Sequence, residues 1–413
     1  MNFRSTFAAA WVAGLGLLCG CASVNAPAEA EISPFRLESK GDGTERLVTD
    51  VRINGRPARL FLDTGAAAPF VLFAPSLERL GLKVAREPAG TSATPGTAIA
   101  GRTASTQVGI FGRTLHDIEL LFMDLPRDVP LESDGDGVMG WPAVSGNVMV
   151  FAFSGKEPFI GAGERPNRVE AGWQTFTVSD DATLSLQPAS GRRDPRLIVD
   201  TGHDGGVMLP PTRWREWRAA HPDVPVTLDA GWMAGAGASV HEVAWADEIA
   251  VGDLVFRGVP VEEALPAYLR EAAAGEEVVA LGVAALKRLD LIVDAPAHVA
   301  QATALTTPPP DLPHNRTGVV FAPKGGAGDD LFAHVLPGGP AFRAGLRDGD
   351  VLVRVNGQPL AGWRQWPDGL RRIYNSRAPA GTRWEFTVRR DGELHTASVV
   401  AENLIGPARR AAR

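Results

Sequence analysis

Two stretches of this chain demand the same local structure. "RLFLDTGAAAPFVL" (59–72) and "RLIVDTGHDGGVML" (196–209) each run three apolar residues into Asp-Thr-Gly. Leu-Phe-Leu and Leu-Ile-Val suit a strand buried on both faces. An ionised aspartate placed among such residues is costly unless it finds a partner. The threonine brings a hydroxyl, and the glycine permits a tight turn or the close approach of another backbone. Asp63 and Asp200 lie 137 positions apart.

The landmarks around them also repeat. Each aspartate is followed by a strand-turn-strand pattern, "VGIFGRTLHDIEL" (108–120) and "IAVGDLVFRGVPV" (249–261). Each half then closes on apolar residues and a glycine, "GVMGWPAVSGNVMVFAF" (137–153) and "VALGVAALKRLDLIVDA" (279–295). Gly140 follows Asp63 by 77 positions, and Gly282 follows Asp200 by 82. Shared order at near-equal spacing signals a duplicated unit. Composition agrees, since 46 Gly and 32 Pro with only 22% charged residues favour short strands and turns over long helices. If two such β-rich lobes pack about a pseudo-twofold axis, Asp63 and Asp200 meet. Two carboxylates in one site do not easily both ionise, so one proton is held between them. That pair is a general acid and a general base, able to activate water against an amide carbonyl.

Both halves resemble lobes of the retropepsin-type aspartic proteases. The resemblance rests on Asp63-Thr64-Gly65-Ala66 with Val138-Met139-Gly140, and on Asp200-Thr201-Gly202 with Ala280-Leu281-Gly282, and it covers roughly residues 31–305. It implies a mainly β, pseudo-twofold bilobal unit with Asp63 and Asp200 as the catalytic pair, needing neither cofactor nor metal. It implies that the hydroxyls of Thr64 and Thr201 interlock across the lobe boundary. Gly65 and Gly202 would support the active site with them, and Gly140 and Gly282 would thread behind its loops. Ala66 fits the family at the position after Asp-Thr-Gly, whereas His203 departs from it. Without a serine or threonine there, the pair should hold its proton to higher pH; a protonated His203 would push the other way. Trp141 and Pro142 are bulky and would narrow their side of the cleft. By position, flap hairpins would fall near 94–102, "TPGTAIAGR", and 232–240, "WMAGAGASV".

Residues 316–402 resemble a PDZ domain, chiefly through "VLPGGPAFRAGLRDGDVLVRVNGQPL" (335–360). "TGVVFAP" (317–323) stands where such domains place their carboxylate-binding loop. Backbone N–H groups at Thr317, Gly318, Val319 and Val320 would then hold a peptide C-terminus, the peptide adding as a strand. "PDGLRRIYNS" (367–376) would line the groove.

The amino-terminal segment reads as a targeting sequence. Arg4 precedes an apolar run (7–18) too short to span a bilayer, and "LCGC" (18–21) resembles a bacterial lipoprotein box with Cys21 as the lipidated residue. Cleavage near "AEA" (28–30) is an alternative. Both cysteines of the sequence lie in this segment. The expected organisation is therefore a signal segment (1–21), a tether (22–31), lobe one (32–165), lobe two (166–305), a Pro-rich linker (306–315), the PDZ module (316–402) and a tail (403–413). Such a protein would be a monomeric outer-membrane lipoprotein, or a soluble periplasmic one. Its partners would be peptide or protein substrates and a peptide ligand at the PDZ groove. Net charge −7 without a basic stripe argues against nucleic acid as a partner. A rival reading keeps the same fold as a non-catalytic peptide-binding scaffold.

Overall fold

The computed structural model describes residues 35–39, 45–86, 99–104, 106–124, 135–155, 158–164, 172–189, 195–233, 237–264, 277–306, 314–323, 330–363 and 377–406. All of them belong to one compact unit spanning Ile32–Arg413. Several sequence expectations lie outside the described residues. They are the signal segment with Cys21, the tether, most of the Pro-rich linker, the groove-lining segment 367–376 and the tips of both proposed flaps.

The molecule is mainly β, and the repeat is written into strand order. In the first lobe the Arg56–Asp63 strand pairs in parallel with Gly137–Gly140, with Asp63 opposite Gly140. In the second, Arg196–Val199 pairs in parallel with Val278–Leu281, with Val199 opposite Leu281. The far edge of each inserted strand pairs antiparallel with the segment just after the aspartate, Phe70–Phe73 in one lobe and Val207–Leu209 in the other. Beyond it each lobe continues with a parallel neighbour, Leu121–Met123 or Leu254–Glu263. A hairpin follows in both: Val84–Arg86 with Ile99–Thr103, and Val226–Met233 with Gly237–Val251. Strands sandwiched in this way have no solvent face, which is why Leu60, Leu62, Leu197 and Val199 are all buried.

The segments that close each repeat pair with one another. Val148–Ala152 runs antiparallel to Leu289–Asp294, Val148 opposite Asp294 and Phe151 opposite Leu291. This shared sheet merges the two lobes into a single apolar core that includes Leu62, Met139, Phe151, Leu197, Phe256 and Leu291. Short helices Trp141–Val144 and Val283–Leu286 follow the two glycines. Trp141, expected to crowd the cleft, is instead 2% exposed and part of that core. A large apolar side chain that begins a helix directly behind a buried glycine gains more by joining the core than by facing water.

The carboxy-terminal module forms a separate six-stranded sheet built on Val319–Pro323, Leu331–Val335, Val351–Val355, Arg383–Arg390 and Glu393–Val400, with Gln358–Pro359 at one side. Asn356 and Gly357, both at positive φ, make the tight turn between Val355 and Gln358. The module packs on the second lobe. Leu228, Ala230 and Val240 of that lobe's hairpin reach its core, and Thr227 Oγ1 donates to the Asn315 carbonyl at 2.7 Å.

Candidate active site

The two Asp-Thr-Gly turns face each other and exchange hydrogen bonds. The Thr64 N–H donates to Thr201 Oγ1 at 3.0 Å, and the Thr201 N–H donates to Thr64 Oγ1 at 3.1 Å. Each hydroxyl then donates across the boundary, Thr64 Oγ1 to the Val199 carbonyl at 2.5 Å and Thr201 Oγ1 to the Leu62 carbonyl at 2.8 Å. Both threonines are fully buried. A hydroxyl can accept and donate together, so four backbone groups that water cannot reach are satisfied by two side chains.

Above this lattice sit the carboxyls. Gly65 N–H donates to Asp63 Oδ1 at 3.0 Å, and Gly202 N–H to Asp200 Oδ1 at 2.8 Å. Each carboxyl also rests on the other lobe's glycine. A Cβ at Gly65 would stand 2.6 Å from Asp200 Cγ, and one at Gly202 would stand 2.5 Å from Asp63 Cγ. Only glycine permits this approach. Burial, the Asp200 charge and a carboxyl–carboxyl hydrogen bond push Asp63 well above the usual carboxylate range. The pair thus retains a proton where an ordinary aspartate has lost it.

Behind the turns, the inserted strands brace both loops alike. Gly140 N–H donates to the Pro69 carbonyl at 3.0 Å, and Gly282 N–H to the Gly206 carbonyl at 3.0 Å. Trp141 N–H reaches the Ala66 carbonyl at 3.2 Å, while Val283 N–H reaches that of His203 at 2.8 Å. A Cβ on Gly140 would lie 2.1 Å from the Ala68 oxygen, and one on Gly282 would lie 2.4 Å from the Gly205 oxygen.

The loops themselves differ. The first is Ala66-Ala67-Ala68-Pro69; the second is His203-Asp204-Gly205-Gly206. His203 Nε2 lies 3.0 Å from Glu262 Oε1, and Glu262 Oε2 lies 2.7 Å from His241 Nε2. Gly206 N–H also donates to Glu262 Oε1, at 3.1 Å. Burial opposes charging His203, but Glu262, Asp204 and Asp200 outweigh it and raise the imidazole to about 9. Burial likewise opposes charge on Glu262 and Asp204. The two histidines nonetheless hold Glu262 far below the usual range, and Arg377 with Arg46 does the same for Asp204. Of these groups the sequence singled out His203 alone. Glu262 had one signal, a charged residue directly after the uncharged run "GVPV" (258–261). Arg377 had none.

The described parts of the proposed flap segments lie in paired strands. Residues 99–102 belong to the Ile99–Thr103 strand, 232–233 end the Val226–Met233 strand and 237–240 begin the Gly237–Val251 strand. The PDZ loop amides have partners within the protein. The N–H groups of Thr317 and Gly318 donate to Asn315 Oδ1 at 2.9 and 3.2 Å, and that of Val319 approaches Thr317 Oγ1 at 3.4 Å. Thr317, Val319 and Val320 are buried. The Thr317 and Gly318 amides are bonded within the loop because Asn315 supplies a carbonyl oxygen of its own. Among the described residues no group of three or more His, Cys, Asp or Glu could hold a metal ion.

Comparison with known proteins agrees with this architecture. Residues 49–143 match the aspartyl protease family, and residues 332–373 match the PDZ domain family. The chain therefore carries an aspartyl protease domain of retropepsin-like type and a PDZ domain. It is also 33% identical over 73 residues to a Neisseria meningitidis protein named as a zinc metalloprotease. That likeness covers 18% of this chain and 15% of the neisserial protein.

Proposed function

We propose that this protein is an aspartic endopeptidase in which Asp63 and Asp200 share one proton and activate a water molecule against a peptide carbonyl. The observation that carries this reading is the reciprocal seating of each carboxyl on the other lobe's glycine, with Asp63 favoured as the acid. Asp200 takes a proton from water as the water oxygen attacks the carbonyl carbon, while Asp63 gives its proton to the carbonyl oxygen. The tetrahedral intermediate then collapses. The proton held by Asp200 passes to the leaving nitrogen, the C–N bond breaks, and the oxygen-bound proton returns to Asp63. Amide plus water becomes acid plus amine.

In this reading Thr64, Gly65, Thr201 and Gly202 hold the pair in register, and Gly140 and Gly282 stiffen the loops bearing Ala66 and His203. Zinc chemistry is not carried over from the neisserial protein. The one His-Glu dipeptide, His241-Glu242, has Trp245 where a zinc-binding helix would place its second histidine, and it lies in the Gly237–Val251 strand. The PDZ domain would raise the local concentration of a substrate or partner. The leader further supports an exported protein held at the periplasmic face through Cys21, which mass spectrometry of the membrane-extracted amino terminus would test.

The test is cleavage of a mixed peptide library between pH 4 and 8 by protein from residue 22 onward, with Asp200→Asn as the matched control. Wild-type cleavage, absent in the variant and blocked by a statine-type mimic, is the expected result. A folded wild type that cleaves nothing at any of these pH values would leave the scaffold reading in its place.

A further inference from the structure

The second active-site loop is held from outside its own lobe. Arg377 lies in the PDZ domain, just ahead of the Arg383–Arg390 strand. Its carbonyl accepts from Arg316 Nη1 at 3.2 Å, and Arg316 Nε is tied to Asn403 Oδ1 at 2.8 Å, so this backbone is fixed to the PDZ domain. The guanidinium forks outward. Nη1 meets Asp204 Oδ2 at 2.5 Å, and Nη2 meets Asp229 Oδ2 at 3.0 Å. The three side chains are 8%, 14% and 19% exposed, so water screens them little.

Asp204 is four residues beyond Asp200, at the apex of the loop whose start carries the carboxyl. The first lobe needs no such tie, because Ala66-Ala67-Ala68-Pro69 contains no charge and ends in a proline of fixed φ. The second loop ends in Gly205-Gly206, the residues with the most backbone freedom to lose. Gly206 is obligatory, since a Cβ there would lie 2.0 Å from the Pro260 oxygen, and a Cβ on Gly205 would displace Glu262, whose Oε1 would lie 2.0 Å away. A loop that must be glycine-rich for packing requires another source of stiffness.

We propose that Arg377 is a positioning residue for the peptidase, the PDZ domain completing the active site by clamping Asp204 and thereby fixing the loop that presents Asp200. This rests on the aspartic endopeptidase reading above. The PDZ domain is then part of the catalytic unit rather than a recruiting appendage alone.

The test uses the chain from residue 22 onward with Arg377→Gln, Arg377→Lys and Asp204→Asn, each checked for native circular dichroism. Arg377→Gln should lower kcat on the order of 10²-fold with KM within about twofold, because the displaced loop spoils alignment rather than binding. Arg377→Lys should recover most of that loss, and Asp204→Asn should reproduce it. Hydrogen exchange in a peptide covering 200–206 should be faster in Arg377→Gln than in wild type. Unchanged kcat in folded Arg377→Gln overturns the proposal, as does a rise in KM alone, which would mark a recruiting role. If wild type cleaves nothing, the endopeptidase reading fails by itself. The clamp is then judged by exchange at 200–206, and equal rates in wild type and Arg377→Gln, or in wild type and Asp204→Asn should Arg377→Gln not fold, overturn it.

Discussion

Thr64 and Thr201 are each other's hydrogen-bond partners, each side chain accepting from the other's backbone N–H at 3.0 to 3.1 Å. Each hydroxyl also donates to the strand that delivers the opposite aspartate. Neither lobe can therefore set its own carboxyl without the other. The geometry of the pair is a property of the interface, and the bonds that define it are fully buried.

Replacing one of these threonines tests that dependence. Thr201→Val keeps the shape but orphans the Thr64 N–H and the Leu62 carbonyl. Two buried unsatisfied groups should cost about 2–4 kcal/mol of stability, read from denaturant unfolding. Thr201→Ser retains the hydroxyl and should recover most of it.

Gly65→Ala probes the carboxyl contact. The new Cβ would stand 2.6 Å from Asp200 Cγ, so either the carboxyl or the turn must move. Overpacking of this kind destabilises by about 1–3 kcal/mol. Peptide cleavage should fall on the order of 10²-fold, since misalignment of about an ångström is enough for that. Initial rates for folded Gly65→Ala against wild type would decide.

The raised Asp63 carboxyl has a defined effect on stability. Its folded-state value lies above that of an unfolded aspartate, near 4. The stabilising contribution is therefore complete below about pH 4 and is lost as pH rises through the folded value. Asp63→Asn, which cannot ionise, should flatten this decline and raise stability at neutral pH relative to wild type. Cleavage should persist above the range of an ordinary carboxylate and fall once the pair loses its shared proton. Unfolding curves and a kcat/KM profile from pH 4 to 8 would check both.

His203 titrates in the opposite sense to an isolated buried histidine. Raised from about 6.5 to about 9, it contributes stability that is full below the lower value and lost through the upper one. Glu262→Gln removes its main partner. Burial is then opposed only by Asp204 and Asp200, and the imidazole should titrate lower than in wild type by proton NMR. The cost in stability should be about 3–5 kcal/mol, as for other buried pairs broken on one side.

Much of this design is legible in the chain. An apolar triplet running into Asp-Thr-Gly marks a buried strand ending in a turn, and its recurrence with Gly140 and Gly282 at matched spacing implies the duplicated sheet. Asn356-Gly357 marks its hairpin equally well. Local patterns encode these features because a buried strand and its turn are written in neighbouring residues, and recurrence of the same landmarks shows which segments correspond. Trp141 could not be placed, since the same bulky residue suits a cleft wall and a core.

By itself, then, the sequence determined the two turns, their symmetry and the presence of a PDZ domain. Only the tertiary structure decided what His203, Asp204 and the PDZ loop amides touch. Asp204 and Arg377 are 173 positions apart, and Asn315 captures its amides through a side-chain oxygen that any exposed loop could have left in water. Such contacts depend on how one sheet packs against another. A buried charge takes whichever partner that packing brings within about 3 Å, and no local period records which one it will be.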